Sequence, residues 1–263
     1  MTRRAPALIA VAGLSLWFAV PLVPVFLWAF ADRWTFPAVL PQQWGLSGWR
    51  AAEQAGVPAA LGRSTLLGLG VCALAVTLGA AAARALAWTS SAWNGPLALT
   101  LLAPVALPPF ALAMGVDVLL LRLGVPPMVT LVALLTVLAL PYTTYTLRAA
   151  YIGLDRGMEE QALLLGATHR GAFWRVTVPA LAPGLAAASF LAFLIGWSDY
   201  VVTLVIGGGQ FTTLPLLIGS AASRTGNESS LAVMSLLSLG LPLLTLLMAG
   251  AFRRTPREAV DVG

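Results

Sequence analysis

The chain has 263 residues, 59% apolar and only 10% charged, with a mean hydropathy of +0.88. Too few polar groups are present to cover a water-facing surface, so lipid must be the solvent for most of it, and the length suits about six membrane spans with loops. All fifteen basic residues are Arg, which excludes a conventional P-loop ATPase and Schiff-base chemistry, since both need a Lys. A single His (His169) and a single Cys (Cys72) rule out a His/Cys zinc cage, leaving no metal site, and an intrachain disulfide.

Six apolar segments are long enough to cross a bilayer: about 7–30, 64–83, 96–121, 128–147, 182–205 and 230–251. They lack the apolar/polar alternation of a barrel strand, so the expectation is an all-α, polytopic membrane protein forming a single domain over 1–263. Arg3 and Arg4 precede the first run as they would a signal peptide, but the run exceeds a signal core in length and reads as a retained span. Between the first two spans, the loop from Ala31 to Arg63 carries Trp34, Phe36, Trp44 and Trp49 among Pro and Gly. An aromatic belt at the lipid headgroups is favoured there over a docking surface for an external partner. Pro21, Pro24, Pro104, Pro108 and Pro109 predict kinks or broken turns inside or near spans.

With the N-terminus cytoplasmic, ten Arg face inward (3, 4, 84, 148, 156, 170, 175, 253, 254, 257) and five outward (33, 50, 63, 122, 224). The positive-inside rule therefore puts both termini, and the loop 148–180, on the cytoplasmic side. The net charge of +5 is accounted for by those loops, and no nucleic-acid partner is expected.

In that loop Asp155 is a candidate N-cap, Glu159 and Glu160 suit the first turns, and Gly166 suits a C-terminal stop. The interval Asp155–Leu165 predicts a short helix with Met158, Ala162 and Leu165 on one face. A second helical piece is expected over 172–178, ending before Pro179. The result is a helix–Gly–helix hairpin along the membrane surface, with a small apolar face fitted to a groove on another protein.

Two acids lie within spans, where charge is costly. Asp117 sits five residues before Arg122 and is read as a local pair or an exterior-facing group. Asp199 lies in Trp197-Ser198-Asp199-Tyr200, where two aromatics, a hydroxyl and a carboxylate line a solute path or else pack helices. Gly207-Gly208-Gly209, further on, reads as an exterior loop.

The hairpin sequence Glu160-Gln161-Ala162-Leu163-Leu164-Leu165-Gly166, then nine residues, then Val176-Thr177-Val178-Pro179, resembles the signature loop of ABC importer permeases. The family pattern is Glu-Ala-Ala, three residues, Gly, nine residues, Ile-x-Leu-Pro. Glu160, Ala162, Gly166 and Pro179 match outright, Val176 and Val178 are aliphatic stand-ins, and Gln161 departs. The stretch Trp197-Ser198-Asp199-Tyr200, followed by Thr213-Leu214-Pro215, resembles polyamine and sugar permeases.

The resemblance implies the type I ABC importer permease fold in a prokaryotic inner membrane. It makes the hairpin a coupling helix seated in an ATPase subunit, with Glu160 paired to a basic group there, Ala162 permitting close approach and Gly166 setting the bend. The implied partners are ABC ATPase subunits, a second permease subunit (same or homologous), an extracytoplasmic solute-binding protein and membrane lipid. ATP and Mg are used by the ATPase, so no cofactor and no catalytic residue is expected in this chain. The implied solute is a small polar or cationic molecule, polyamine-like ahead of sugar, with the tilt resting on Asp199. An ion-gradient-driven secondary transporter would need coupled intramembrane acids or paired broken helices, and an intramembrane enzyme a clustered catalytic set. Two isolated Asp residues offer neither.

Overall fold

The structure is a computed structural model that describes residues 11, 13–17 and 19–252. Helices dominate: α1 (Leu22–Ala29), α2 (Ser47–Gln54), α3 (Val57–Trp88), α4 (Asn94–Ala106), α5 (Pro109–Arg122) and α6 (Pro127–Ile152) come first. The hairpin follows as α7 (Gly157–Leu164), α8 (His169–Ala172), a π-helical turn (Phe173–Thr177) and α9 (Val178–Ala180). The chain continues through α10 (Ala182–Ser198), α11 (Val201–Gly207), α12 (Leu214–Ala222) and α13 (Glu228–Phe252). The all-α expectation holds, with one small addition: β1 (Ala31–Arg33) and β2 (Gln43–Trp44) pair antiparallel inside the loop after α1.

Among the described residues, Val57–Trp88, Pro127–Ile152 and Glu228–Leu247 are each long and apolar enough to cross a bilayer. Two bent pairs, Asn94–Ala106 with Pro109–Arg122 (99°) and His169–Ala180 with Ala182–Ser198 (75°), raise the number to five if each is one span. The first expected run, about 7–30, begins outside the described residues, as do Arg3, Arg4, Arg253, Arg254 and Arg257 of the charge count.

The third expected span is not continuous. Leu107 and Pro108 are both extended (ψ 136° and 128°), because each precedes a proline whose ring disfavours the helical region. The fifth is also interrupted: α10 ends at Ser198, Asp199 is extended (ψ 128°), and α11 starts afresh. Gly207 closes α11, so the expected exterior glycine loop is reduced to a turn at Gly208 and Gly209, both with positive φ.

Close contacts divide the chain into two compact units, made of the described parts of Met1–Leu61 with Thr213–Leu241, and of Gly62–Thr212 with Pro242–Gly263. In the first, the Asp32 carboxylate accepts from the Ser47 backbone N–H at 2.9 Å at the start of α2. Hydrogen bonds from the Ser47 side chain and backbone, helped by the Arg50 charge, hold the Asp32 carboxyl below its ordinary value. The Ser229 hydroxyl donates to the Ala31 carbonyl at 2.6 Å, tying the strand pair to α13. At the tip of this loop Phe36 and Val39 are almost fully exposed, as a group meeting lipid headgroups would be.

The second unit holds both candidate sites. Its core packs Leu67 and Val71 of α3 against Leu131 and Leu135 of α6, Ala192 of α10 and Val202 of α11. A second cluster joins Ala83, Leu147, Tyr151, Leu181 and Ala188 near the hairpin. Lipid is as apolar as leucine, so helices in it associate through close packing of small residues. A Cβ at Gly196 would lie 2.9 Å from the Gly68 Cα, which is how closely α10 approaches α3. The Thr143 hydroxyl adds a bond from α6 to the Ala75 carbonyl of α3 at 3.0 Å.

Candidate functional site

The hairpin is built by local backbone chemistry. The helix starts later than expected, with Arg156 and not Asp155 at the N-cap; Asp155 turns the chain into it, its Oδ1 accepting from the Gly157 N–H at 2.9 Å two residues on. At the other end Gly166 is left-handed, with φ +89°. Its N–H donates to the Leu163 carbonyl and the Ala167 N–H to the Ala162 carbonyl, both at 3.0 Å, the paired bonds of a Schellman stop. The Thr168 hydroxyl then caps α8 by accepting from the Gly171 N–H at 3.1 Å. The second arm does not stop before Pro179. It runs on as a π-helical turn into Val178–Ala180, so that Pro179, which has no N–H to give, falls just past the turn's last bond, from the Val178 N–H to the Phe173 carbonyl.

Glu160, Ala162, Gly166, Val176, Val178 and Pro179 all fall in this hairpin. Ala162, Gly166 and Val176 share the lining of a groove of about 500 Å3 between the arms, with Leu165, Thr168 and Arg175. Leu164 and Leu165 at the turn are nearly fully exposed. Glu160 is exposed and reaches only Arg156, at 3.3 Å and one turn away. Val178 is half-buried and Pro179 is exposed.

The buried carboxylate is the neighbour, Glu159. Its Oε1 accepts from the Arg84 Nη2 at 2.7 Å and its Oε2 from the Thr177 hydroxyl at 2.8 Å. Burial pushes this carboxyl up, but hydrogen bonds from Arg84 and Thr177, with the charges of Arg84 and His169, prevail and hold it below its ordinary value. Sequence reasoning used Arg84 only to orient the spans and missed the pairing. A lone Arg near the end of an apolar run, needing an acid, was the available signal.

The second candidate site is a cavity of about 630 Å3 bounded by the α4–α5 break, α6 and the α10–α11 break. Leu107, Leu135, Leu138 and Leu191 supply apolar walls, and Tyr142, Ser198, Asp199 and Tyr200 the polar ones. Trp197 is not among them: it is 1% exposed and stacks on Phe193 with centroids 5.7 Å apart. Asp199 is occupied within the chain. Its Oδ2 accepts from the Thr203 N–H at 2.7 Å and hydroxyl at 2.8 Å, and its Oδ1 from the Val202 N–H at 3.4 Å. It thereby caps α11. Ser198 donates to the Leu194 carbonyl at 2.7 Å. Asp117 and Arg122 form no ion pair among the described residues, whose pairs are Arg84–Glu159 and Arg156–Glu160.

The sequence profile of the binding-protein-dependent transport system inner membrane components matches residues 75–258, which contain both sites. The chain belongs to that family. It is therefore a multi-pass protein of the prokaryotic inner membrane. Among curated relatives, it is 32% identical over 108 residues to the diacetylchitobiose uptake system permease protein DasC of Streptomyces coelicolor, covering 41% of this chain and 39% of that one. It is 36% identical over 87 residues to the putrescine transport system permease protein PotI of Escherichia coli (33% and 31% covered). To the molybdenum transport system permease protein ModB of Escherichia coli it is 27% identical over 125 residues (46% and 55%). The matched stretch thus spans between about a third and just over half of each relative's length.

The fold resembles that of a bacterial ABC transporter involved in import of the acidic polysaccharide alginate, with a TM-score of 0.71 at 12% identity over 97% of this chain and 99% of that one. An amino acid ABC transporter gives 0.57 at 16% identity over 80% and 99%.

Proposed function

We propose that this chain is the membrane-spanning permease subunit of an ATP-driven ABC importer, forming the solute path and coupling to a separate ATPase subunit. The observation that carries the reading is the hairpin: a Schellman turn on Gly166 presents exposed leucines and a small-residue groove at fixed geometry, in a member of this family. On this reading the hairpin is cytosolic and seats in the ATPase, with Leu164, Leu165 and Ala162 entering its cleft. Glu160, Gly166, Val176, Val178 and Pro179 shape that docking. A second permease subunit completes the path, an extracytoplasmic binding protein delivers cargo, and ATP with Mg stays on the ATPase.

The cavity at Tyr142, Ser198, Asp199 and Tyr200 is the solute contact in this reading, with Trp197 as its packed support. A small polar organic solute fits it, and a neutral, saccharide-like one better than a polyamine. The reason is a lining made mostly of apolar walls, two phenols and a hydroxyl, with the Asp199 oxygens already accepting from Thr203 and Val202. Similar relatives bear the names of diacetylchitobiose, putrescine and molybdenum transport, so likeness does not choose among them.

Affinity purification of the tagged chain from native membranes tests the reading. An ATPase subunit and a binding protein are expected to come with it, and mass spectrometry of the ligand the binding protein retains assigns the solute. A chain that comes down stably without any ATPase overturns the importer assignment. A retained polyamine overturns the solute preference alone.

A further inference from the structure

Both arms of the hairpin meet the end of α3 at one carboxylate, beside a bond from Arg156 to the Trp88 carbonyl at 3.3 Å. Glu159 of α7 is 8% exposed, and its two donors, Arg84 and Thr177, lie 75 and 18 residues away in the chain. One carboxylate therefore joins the end of α3, the first arm and the second arm. The Arg84 guanidinium is held in turn by aromatic rings, with its carbon 4.9 Å from the Trp88 centroid and 5.7 Å from that of Phe173. Trp88 donates to the Tyr151 carbonyl at 3.2 Å, which brings the end of α6 into the same knot. Thr177 closes a π-helical turn, a feature of helices that is frequent at functional sites. Beyond it the second arm bends by 75° into α10.

Apolar contacts permit sliding, whereas a short charge-assisted hydrogen bond with a second donor on the same carboxylate is directional and resists shear. Glu160 has no such reach, since its ion pair stays within its own arm. We infer that the Arg84–Glu159–Thr177 knot is the joint that makes α3 move with the hairpin, so that Glu159, and not Glu160, is the positioning residue for transmission. The inference rests on the coupling role proposed above.

The test uses the assembled complex in proteoliposomes, with nitroxides at Arg170 on the hairpin's second arm and Leu69 on α3, both exposed, in a Cys72→Ser background. Electron–electron distances are measured at rest and after trapping with Mg-ATP and vanadate. With the knot intact, the Arg170–Leu69 distance is expected to be the same in both states. In Glu159→Gln and in Thr177→Val, the share of trapped molecules keeping the resting distance falls by about fivefold or more, the low end of coupling between linked sites. The ATPase stays bound and hydrolysing, and Thr177→Ser, which keeps the hydroxyl, restores the single distance. Should both Glu159→Gln and Thr177→Val hold the resting distance with the ATPase bound, the joint is refuted and the coupling role stands. Should the unsubstituted chain bind no ATPase, the coupling role falls and the joint with it. Thr177→Val keeps the test decisive if Glu159→Gln does not assemble.

Discussion

Glu159 at the hairpin and Asp199 at the cavity are two carboxylates of the same compact unit, both accepting hydrogen bonds within the chain, yet they serve opposite ends. The donors to Glu159 come from distant segments, and one side chain thereby joins the end of α3 to both arms. The donors to Asp199 all lie within four residues, and the bonds only restart a helix where a span has broken. A carboxylate in an apolar chain must be compensated. Whether compensation is local or distant decides whether it shapes one helix or links several. By that measure the hairpin is the mechanical region, and the cavity is shaped by backbone breaks at Leu107-Pro108 and Asp199.

The largest effect that would sharpen this contrast is expected at Gly166. Proline there needs φ near −65° in place of +89° and removes the N–H bond to Leu163, a cost of about 3 kcal/mol or more. Gly166→Pro is expected to abolish ATP-driven uptake, while Gly166→Ala loses about 1–2 kcal/mol for a side chain in the left-handed region. Uptake in proteoliposomes and thermal unfolding of the solubilised protein separate the two. Undiminished uptake in the proline variant would break the hairpin side of the comparison.

At the cavity, Asp199→Ala should cost about 1–2 kcal/mol of stability as a lost cap, and Asp199→Asn only a few tenths, since Asn caps nearly as well. Equal losses in the two variants would mean that the charge itself, and not only its acceptor oxygen, supports the start of α11. Tyr200→Ala should raise the half-saturation for uptake of the retained solute about tenfold, or about 1.4 kcal/mol. An unchanged value would move the solute contact away from this cavity. Smaller still is Glu160→Gln, which removes a solvent-exposed pair with Arg156 and should change stability by about 0.5 kcal/mol or less. A thermal shift as large as that of Glu159→Gln would erase the distinction between the two adjacent acids.

The helical class and the hairpin were legible because they rest on local rules: apolar runs of spanning length, an Asp that turns the chain, a Gly that stops a helix. The second arm was misjudged at Pro179 because proline is read as a terminator, whereas here a π-helical turn precedes it and carries the helix through. Asp199 was recognised as important but its role stayed open. A carboxylate four residues before Thr203 is a capping signal only if the helix has already broken, and the apolar run 182–205 hides that break. The Arg84–Glu159 pair was out of reach for another reason. Its partners are 75 residues apart, and no local rule relates the end of one span to the first arm of a hairpin.

Proton concentration gives the smallest effect at neutral pH and a defined one in acid. Because Arg84 and Thr177 hold the Glu159 carboxyl below its ordinary value against the upward push of burial, the native state favours its ionised form. The resulting stability is fully present above the unfolded value of about 4.3 and is lost as pH falls through the lower native one. Between pH 6 and 8, therefore, the hairpin's attachment should not vary with Glu159. An infrared titration of the carboxyl band, taken as the difference between the unsubstituted protein and Glu159→Gln, is expected to show protonation only below about pH 4.3. A midpoint above that value would mean that burial prevails over the Arg84 bond. The pair would then favour the ionised form less, and the joint's resistance to shear would be correspondingly weaker.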